Sequence, residues 1–219
     1  MSGSLRSLDH VAVWTDEREE LARFLLDRTG VHEIERTDSF TLLGADARRG
    51  KLTLFDAIGP RERGALERVV LRVHDLDAGV QRAGGATLQA PGGLKLGLVQ
   101  AAPDDVDYDL DHVVLRVRDP QQCAEAFVGM GFERRDGVVG VADRVVRLVG
   151  GGRHEGARPL LNHLAVLVDS ASELQDEAER NGWEIDDIKD AANTFAVFVR
   201  GPEGIRVEYV EHKPGFALK

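Results

Sequence analysis

Four stretches of the chain share one alternation of apolar and polar positions. Leu8 opens LDHVAVWT, Leu110 opens LDHVVLRV and Leu161 opens LNHLAVLV, and a degenerate copy, LERVVLRV, opens at Leu66. Each reads as a β-strand whose successive side chains point to opposite faces. The third position is His in three copies (His10, His112, His163) and Arg68 in the other. These marked positions lie 58, 44 and 51 residues apart, so the spacing predicts four copies of one unit of about 50 residues.

A helix with recognisable ends follows each strand. In the first unit Asp16 caps, Glu19 completes a capping box, Leu21, Phe24 and Leu25 mark one face, and Gly30 stops the helix. In the third, Asp119 caps ahead of Pro120 and Gly131 ends the helix; in the fourth, Ser170 and Glu173 form the box and Gly182 closes it. The second unit is the shortest, with a helix from about Asp75 to Ala83 ending at Gly84-Gly85. Short apolar runs then follow: FTLLGA and KLTLFDA, ATLQAP and LKLGLVQ, GVVGVA and RVVRLVG, TFAVFVR and IRVEYVE. The unit reads β-α-β-β-β and the class α+β.

A lone unit leaves one sheet face uncovered, so the units are expected as two pairs. The join AAPDDVDYD (residues 101–109) marks the expected boundary. Residues 1–101 form an N-terminal pair that serves as scaffold, and 108–219 a C-terminal pair that carries the chemistry. Further joins fall near 57–65 and 150–159; GGGRHEG lacks a phosphate-loop lysine and a helix start, and reads as a linker.

His112, Val114 and Arg116 share one strand face, opposite Val113, Leu115 and Val117, and His163, Ala165 and Leu167 share the matching face of the fourth unit. In GPEGIRVEYV, Val207 and Tyr209 take the apolar face, so Glu208 points with Arg206 away from the helices. A carboxylate within an apolar strand is costly unless paired or metal-bound. Two imidazoles and a carboxylate on one side of Fe(II) leave positions open for substrate and dioxygen. His112, His163 and Glu208 are therefore the candidate metal ligands; the bland alternative pairs Glu208 with Arg206 or Arg200 at a solvated edge. His10 reads as a structural residue. His32, His74, His154 and His212 read as surface residues, and Cys123 as a core thiol.

Charge narrows the partners. The net charge of −10 disfavours nucleic acid and anionic membranes, since phosphate binding needs a basic surface. No apolar stretch approaches the roughly 18 residues that span a bilayer, and MSGSLRSLDH lacks a signal-peptide core. A single cysteine suits a reducing cytoplasm.

The βαβββ repeat and its marked residues resemble the vicinal oxygen chelate superfamily, which includes glyoxalase I, bleomycin-resistance proteins, methylmalonyl-CoA epimerase and type I extradiol ring-cleaving dioxygenases. The likeness covers residues 6–212 and is greatest to the extradiol enzymes. They place iron ligands on a His opening module three, a His opening module four and a Glu on the last strand, which the resemblance matches to His112, His163 and Glu208. Pro202, Gly204 and Glu208 fit the family's final-strand signature. The N-terminal pair keeps only His10, with Leu54, Arg68 and Gly97 at its other ligand positions. Asn193 stands where the family has a His supporting the ligands, and Phe198 where it has a Tyr. Arg144 and Arg147 replace its catalytic His, so Arg116 or Arg147 would stabilise developing negative charge.

The resemblance implies a divalent-metal dioxygenase, Fe(II) first, with Mn(II), Zn(II) or Ni(II) as alternatives. Its partners would be an aromatic vicinal-oxygen substrate and dioxygen. The competing readings are a glyoxalase- or epimerase-like metal enzyme and a non-catalytic, bleomycin-resistance-like protein that sequesters an aromatic ligand. A homo-oligomer is left open.

Overall fold

The first unit runs through β1 (Leu5–Thr15), α1 (Arg18–Arg28), β2 (His32–Arg36), β3 (Phe40–Gly44) and β4 (Lys51–Asp56). The second comprises β5 (Leu66–Val73), α2 (Leu76–Ala83), β6 (Thr87–Gln89) and β7 (Lys95–Gln100), one strand fewer than the repeat predicts. The third contains β8 (Leu110–Val117), α3 (Pro120–Gly129), β9 (Glu133–Arg135), β10 (Val138–Val141) and β11 (Arg144–Gly150). The fourth contains β12 (Leu161–Val168), α4 (Ala171–Asn181), β13 (Ile185–Asp190), β14 (Thr194–Arg200) and β15 (Arg206–His212). This computed structural model describes residues 5–136, 138–151 and 158–218; His154 and most of GGGRHEG lie outside them.

Most helix ends follow the expected chemistry. The side chains of Asp75, Asp119 and Ser170 accept hydrogen bonds from first-turn amides of α2, α3 and α4, satisfying donors that have no partner within the helix. Gly84 and Gly182 close α2 and α4 in the left-handed conformation that glycine adopts without steric cost. The first helix departs from expectation, because β1 continues to Thr15 and the Asp16–Glu19 box does not form. Thr15 Oγ1 instead accepts from the Glu17 amide at 3.0 Å, and Glu17 Oε2 accepts from the Gly92 amide of the second unit at 2.5 Å.

The pairing of units is the main correction. The eight-stranded sheet has the order β13-β14-β15-β12-β1-β4-β3-β2, so the fourth unit joins the first. The seven-stranded sheet, β6-β7-β5-β8-β11-β10-β9, joins the second to the third. Residues 101–109 therefore link β7 to β8 within one sheet instead of separating an N-terminal pair from a C-terminal pair. His112 and His163 open strands of different sheets. The physical reason is edge pairing: β5 takes β8, the first strand of the next unit, and leaves the free edge of β1 to β12.

The helix-facing sides of both sheets share one buried cluster, with Leu8, Val11 and Val13 of β1, Val69 and Leu71 of β5, and Leu21, Phe127 and Leu174 of the helices. At about 1.5–3 kcal/mol per buried large apolar side chain, this common core binds the two sheets together. Tyr209 is fully buried, and its hydroxyl donates to the Met130 carbonyl at 2.7 Å, tying β15 to the end of α3. Cys123 is buried as expected, and burial pushes its thiol up to about 12. No helix among the described residues is long and apolar enough to cross a membrane. The other face of the eight-stranded sheet stays open, and the functional side chains lie there.

Candidate metal centre

The first strands carry a local device that the repeat phrase conceals. In β1 the pairing with β12 skips Asp9, and in β12 it skips Asn162; the same slip occurs at Glu67 in β5 and Asp111 in β8. Each of these β-bulges falls on the residue before the marked position. A bulge re-aims a side chain, so two consecutive residues can serve one face. As a result His10 Nδ1 meets Asp9 Oδ2 at 2.8 Å, and His163 Nδ1 meets Asn162 Oδ1 at 3.0 Å. Each imidazole can give its Nδ1 proton to that oxygen, which turns Nε2 into the open face, the orientation of metal-ligating histidines.

Register brings those lone pairs together. Across β1 and β12, His10 faces Ala165 and Ala12 faces His163, and both alanines are fully buried and leave space for the rings. Ala165 also pairs with Glu208 on β15. The three ligand-capable atoms form a triangle: 2.9 Å between the Nε2 atoms, 2.9 Å from His163 Nε2 to Glu208 Oε2, and 3.1 Å from His10 Nε2 to Glu208 Oε2. Cis ligands around a metal with bonds of about 2.1 Å lie about 3.0 Å apart, which is the edge length found here. Glu208 Oε2 is buried and receives no well-formed hydrogen bond, although both rings touch it. The donor set and this orphaned oxygen fit a divalent metal.

The electrostatics fit the same use. Burial opposes charge on His10, but Glu208 and Asp9 outweigh it and raise the ring to about 9. Burial is the leading effect at His163, and it lowers that ring despite Glu208. Glu208 is driven the other way, since His163 and His10 overcome burial and draw its carboxyl down to about 2. Behind the site, Asp9 accepts from Lys51 Nζ at 2.9 Å and lies 3.1 Å from His212 Nε2. Burial would raise Asp9, but Lys51 leads the groups that hold it well below the carboxylate range.

The triangle opens into a cavity of about 400 Å³. Phe40, Phe55, Phe198 and Phe216 supply its aromatic wall. His163 sits between Phe55, at 6.2 Å, and the edge of Phe198, at 5.2 Å, and the Arg206 guanidinium lies 4.1 Å over the Phe198 ring.

Of the residues predicted from sequence, His163, Glu208, Asn193 and Phe198 line this cavity. His112, Arg116 and Arg147 do not, because β8 and β11 belong to the other sheet. His10, read as structural, is the third member of the cluster. His212 lines the cavity instead of lying on the surface; it shares a face of β15 with Glu208 and Val210, and strand alternation carried that signal. Thr53, not Leu54, pairs with Ala12 as Glu208 pairs with Ala165, so the position related by the repeat to Glu208 holds a hydroxyl.

A family model described as the Glyoxalase/Bleomycin resistance protein/Dioxygenase superfamily matches residues 109–209. No curated protein matches the chain by sequence. Among solved structures, glyoxalase I from Zea mays superposes with a TM-score of 0.72 at 17% identity, over 95% of this chain and 92% of that one. A candidate dioxygenase from Bacillus subtilis subsp. subtilis str. 168 gives a TM-score of 0.72 at 15% identity, over 99% of this chain and 88% of that one. The cppA protein of Streptococcus pneumoniae gives 0.65 at 11%, over 96% and 100%. At these identities the likeness is one of fold. The matched segment, the fourfold repeat and the two paired sheets agree: residues 109–209 are similar to the glyoxalase/bleomycin resistance/dioxygenase superfamily, and the chain shares the fold of these solved structures.

Proposed function

We propose that the protein is a divalent-metal dioxygenase of the extradiol type, acting on an aromatic substrate with two vicinal oxygens. One observation carries this reading: two imidazole nitrogens and one carboxylate oxygen converge on one side of a point whose other side is an aromatic-walled cavity. The ligands come from a first strand, a second first strand and a last strand, as the superfamily resemblance implies, with His10 in the place expected of His112. Such a triad leaves room for both a chelating substrate and dioxygen. The metal, Fe(II) in this reading, would lower the pKa of a coordinated hydroxyl and pass electrons from the substrate to dioxygen.

The chain's own groups do the rest. Asp9 and Asn162 fix the ring tautomers and orientations. Phe40, Phe55 and Phe198 sandwich a planar ring and keep water from it. His212, facing the same cavity, is placed to take a substrate proton, with Asp9 behind it to stabilise the imidazolium. The hydroxyl of Thr53 argues against the glyoxalase-like alternative, in which both paired units contribute a carboxylate or equivalent. The buried, unpaired Cys123 is consistent with a reducing cytoplasm.

The test is anaerobic Fe(II) reconstitution followed by a panel of catechols, read by oxygen uptake and by the yellow ring-cleavage product. The expected result is substrate-dependent uptake that His10→Ala and His163→Ala abolish. Iron-loaded protein that consumes no oxygen with any catechol, yet isomerises a hemithioacetal, would overturn the assignment.

A further inference from the structure

The open face of the seven-stranded sheet carries the counterpart of the metal centre with its charge reversed. Register places Arg68 and His112 where the other sheet has His10 and His163, and Gly97 and Arg147 where it has Thr53 and Glu208. None of these four positions is a carboxylate, so the counterpart attracts anions and repels a divalent cation.

Arg68 pairs with Val114 across β5 and β8, and Val114 pairs with Arg147 across β8 and β11. Both stems therefore rise from one face, two strands or about 10 Å apart. The other cations of this face are spoken for. Glu67 holds Arg116 at 3.0 Å and Lys95 at 3.2 Å, while Arg72 lies 3.0 Å from Asp111 and 2.5 Å from Asp105. Arg68 and Arg147 make no hydrogen bond or ion pair with any described residue, although the chain has 38 acidic residues against 28 basic. Arg68 Nε is buried and unpartnered, an arrangement that is costly unless something is bound there. Gly97 makes the room: a Cβ there would come within 3.2 Å of Arg68 Cδ. Asp111 takes His112 Nδ1 at 2.5 Å, which turns Nε2 towards the same face. Val70 and Val114 form an apolar floor on the side of the sheet away from the helices.

We propose that Arg68, Arg147 and His112 form a second binding site, for a small organic anion carrying a carboxylate or a phosphate. Two guanidinium forks grip the anionic group, the imidazole adds a third donor, and the valine floor accepts the apolar part of the molecule.

Inorganic phosphate and benzoate are the probes, titrated into the full chain at constant ionic strength and followed by amide chemical shifts. The expected result is saturable movement of β5, β8 and β11 amides with at least one probe. Phosphate alone would indicate a phosphorylated ligand, and benzoate a carboxylate with an apolar body. Arg68→Gln and Arg147→Gln should each weaken binding about tenfold or more, the loss of charge-assisted hydrogen bonds. Arg23→Gln removes the same charge from exposed α1 and should leave affinity unchanged. Arg147 is exposed, so its variant reports even if Arg68→Gln fails to fold. Shifts that never saturate with either probe, that match in Arg23→Gln and Arg147→Gln, or that map to β1, β12 and β15 would overturn the site.

Discussion

His10→Ala and His112→Ala together test how the units pair and where the metal binds. A ligand that binds only the native state stabilises it by RT ln(1 + [L]/Kd), so metal at 100 times Kd adds about 2.7 kcal/mol. For a chain of this size, each kcal/mol moves Tm by about 2–4 °C, giving a metal-induced rise of about 5–11 °C. His10 is one of three ligand groups, and its removal also strips Asp9 of the imidazole it orients. Loss of an outer partner alone weakens metal affinity about 10–100-fold, so loss of the ligand itself should cost at least the upper figure. At the same metal concentration the stabilisation then falls to about 0.4 kcal/mol, a rise of about 1 °C. His112 lies in the other sheet and its replacement should leave the full rise intact. The assay is differential scanning calorimetry of chelator-treated protein with and without Fe(II), Mn(II), Zn(II) or Ni(II). Comparing the rise within each variant cancels any change in the stability of the metal-free protein. Loss of the rise in His112→Ala, with its retention in His10→Ala, would place the metal in the other sheet and refute the His10 site.

Three further outcomes follow from the same contacts. In metal-free protein, His10 is raised to about 9 from an ordinary 6.5, so its contribution is full below about 6.5 and is lost as pH climbs through 9. Glu208 is lowered to about 2, so its contribution holds above about 4.5 and is lost as pH falls towards 2. Melting temperature should therefore peak between about pH 5 and 7, and a profile still rising at pH 9 would contradict the His10–Glu208 coupling. Lys51→Met removes the lysine of the buried Asp9 pair and leaves that carboxylate to His10 and His212, which should destabilise by about 3 kcal/mol in urea titration, with a weaker metal affinity besides. Tyr209→Phe removes the hydroxyl that binds the Met130 carbonyl and should cost about 1–2 kcal/mol without changing metal affinity, which competition with a chromogenic chelator would measure.

Much of this architecture is legible in local pattern because local physics produces it. Capping at Asp75, Asp119 and Ser170, the alternation of every first strand, and the placement of Glu208 on the face away from Val207 depend on neighbours within a few residues. The choice of partner for each unit depends on something else. Every first strand offers the same apolar face and the same free edge, so in-order and nested pairing look alike in the sequence. That ambiguity alone exchanged His112 for His10. The residues before the marked positions, Asp9, Asp111 and Asn162, were visible inside the repeat phrase, but strict alternation assigns them to the opposite face. Only the bulges that carry them round reveal their role.

Nested pairing also sets an order of assembly. Units 2 and 3 are joined by a short connection and can close their sheet with neighbouring segments. The strand that bears His10 finds its antiparallel partner only in β12, and its metal centre only with Glu208, about 200 residues further on. During synthesis β1 therefore waits with an open edge and an apolar face, the condition under which strands associate with the wrong chain. The closing step is a long-range one, slow because loop entropy is spent before any contact repays it. Under the proposed function, a metal can bind all three ligands only after that closure, because His163 and Glu208 reach His10 in the same step.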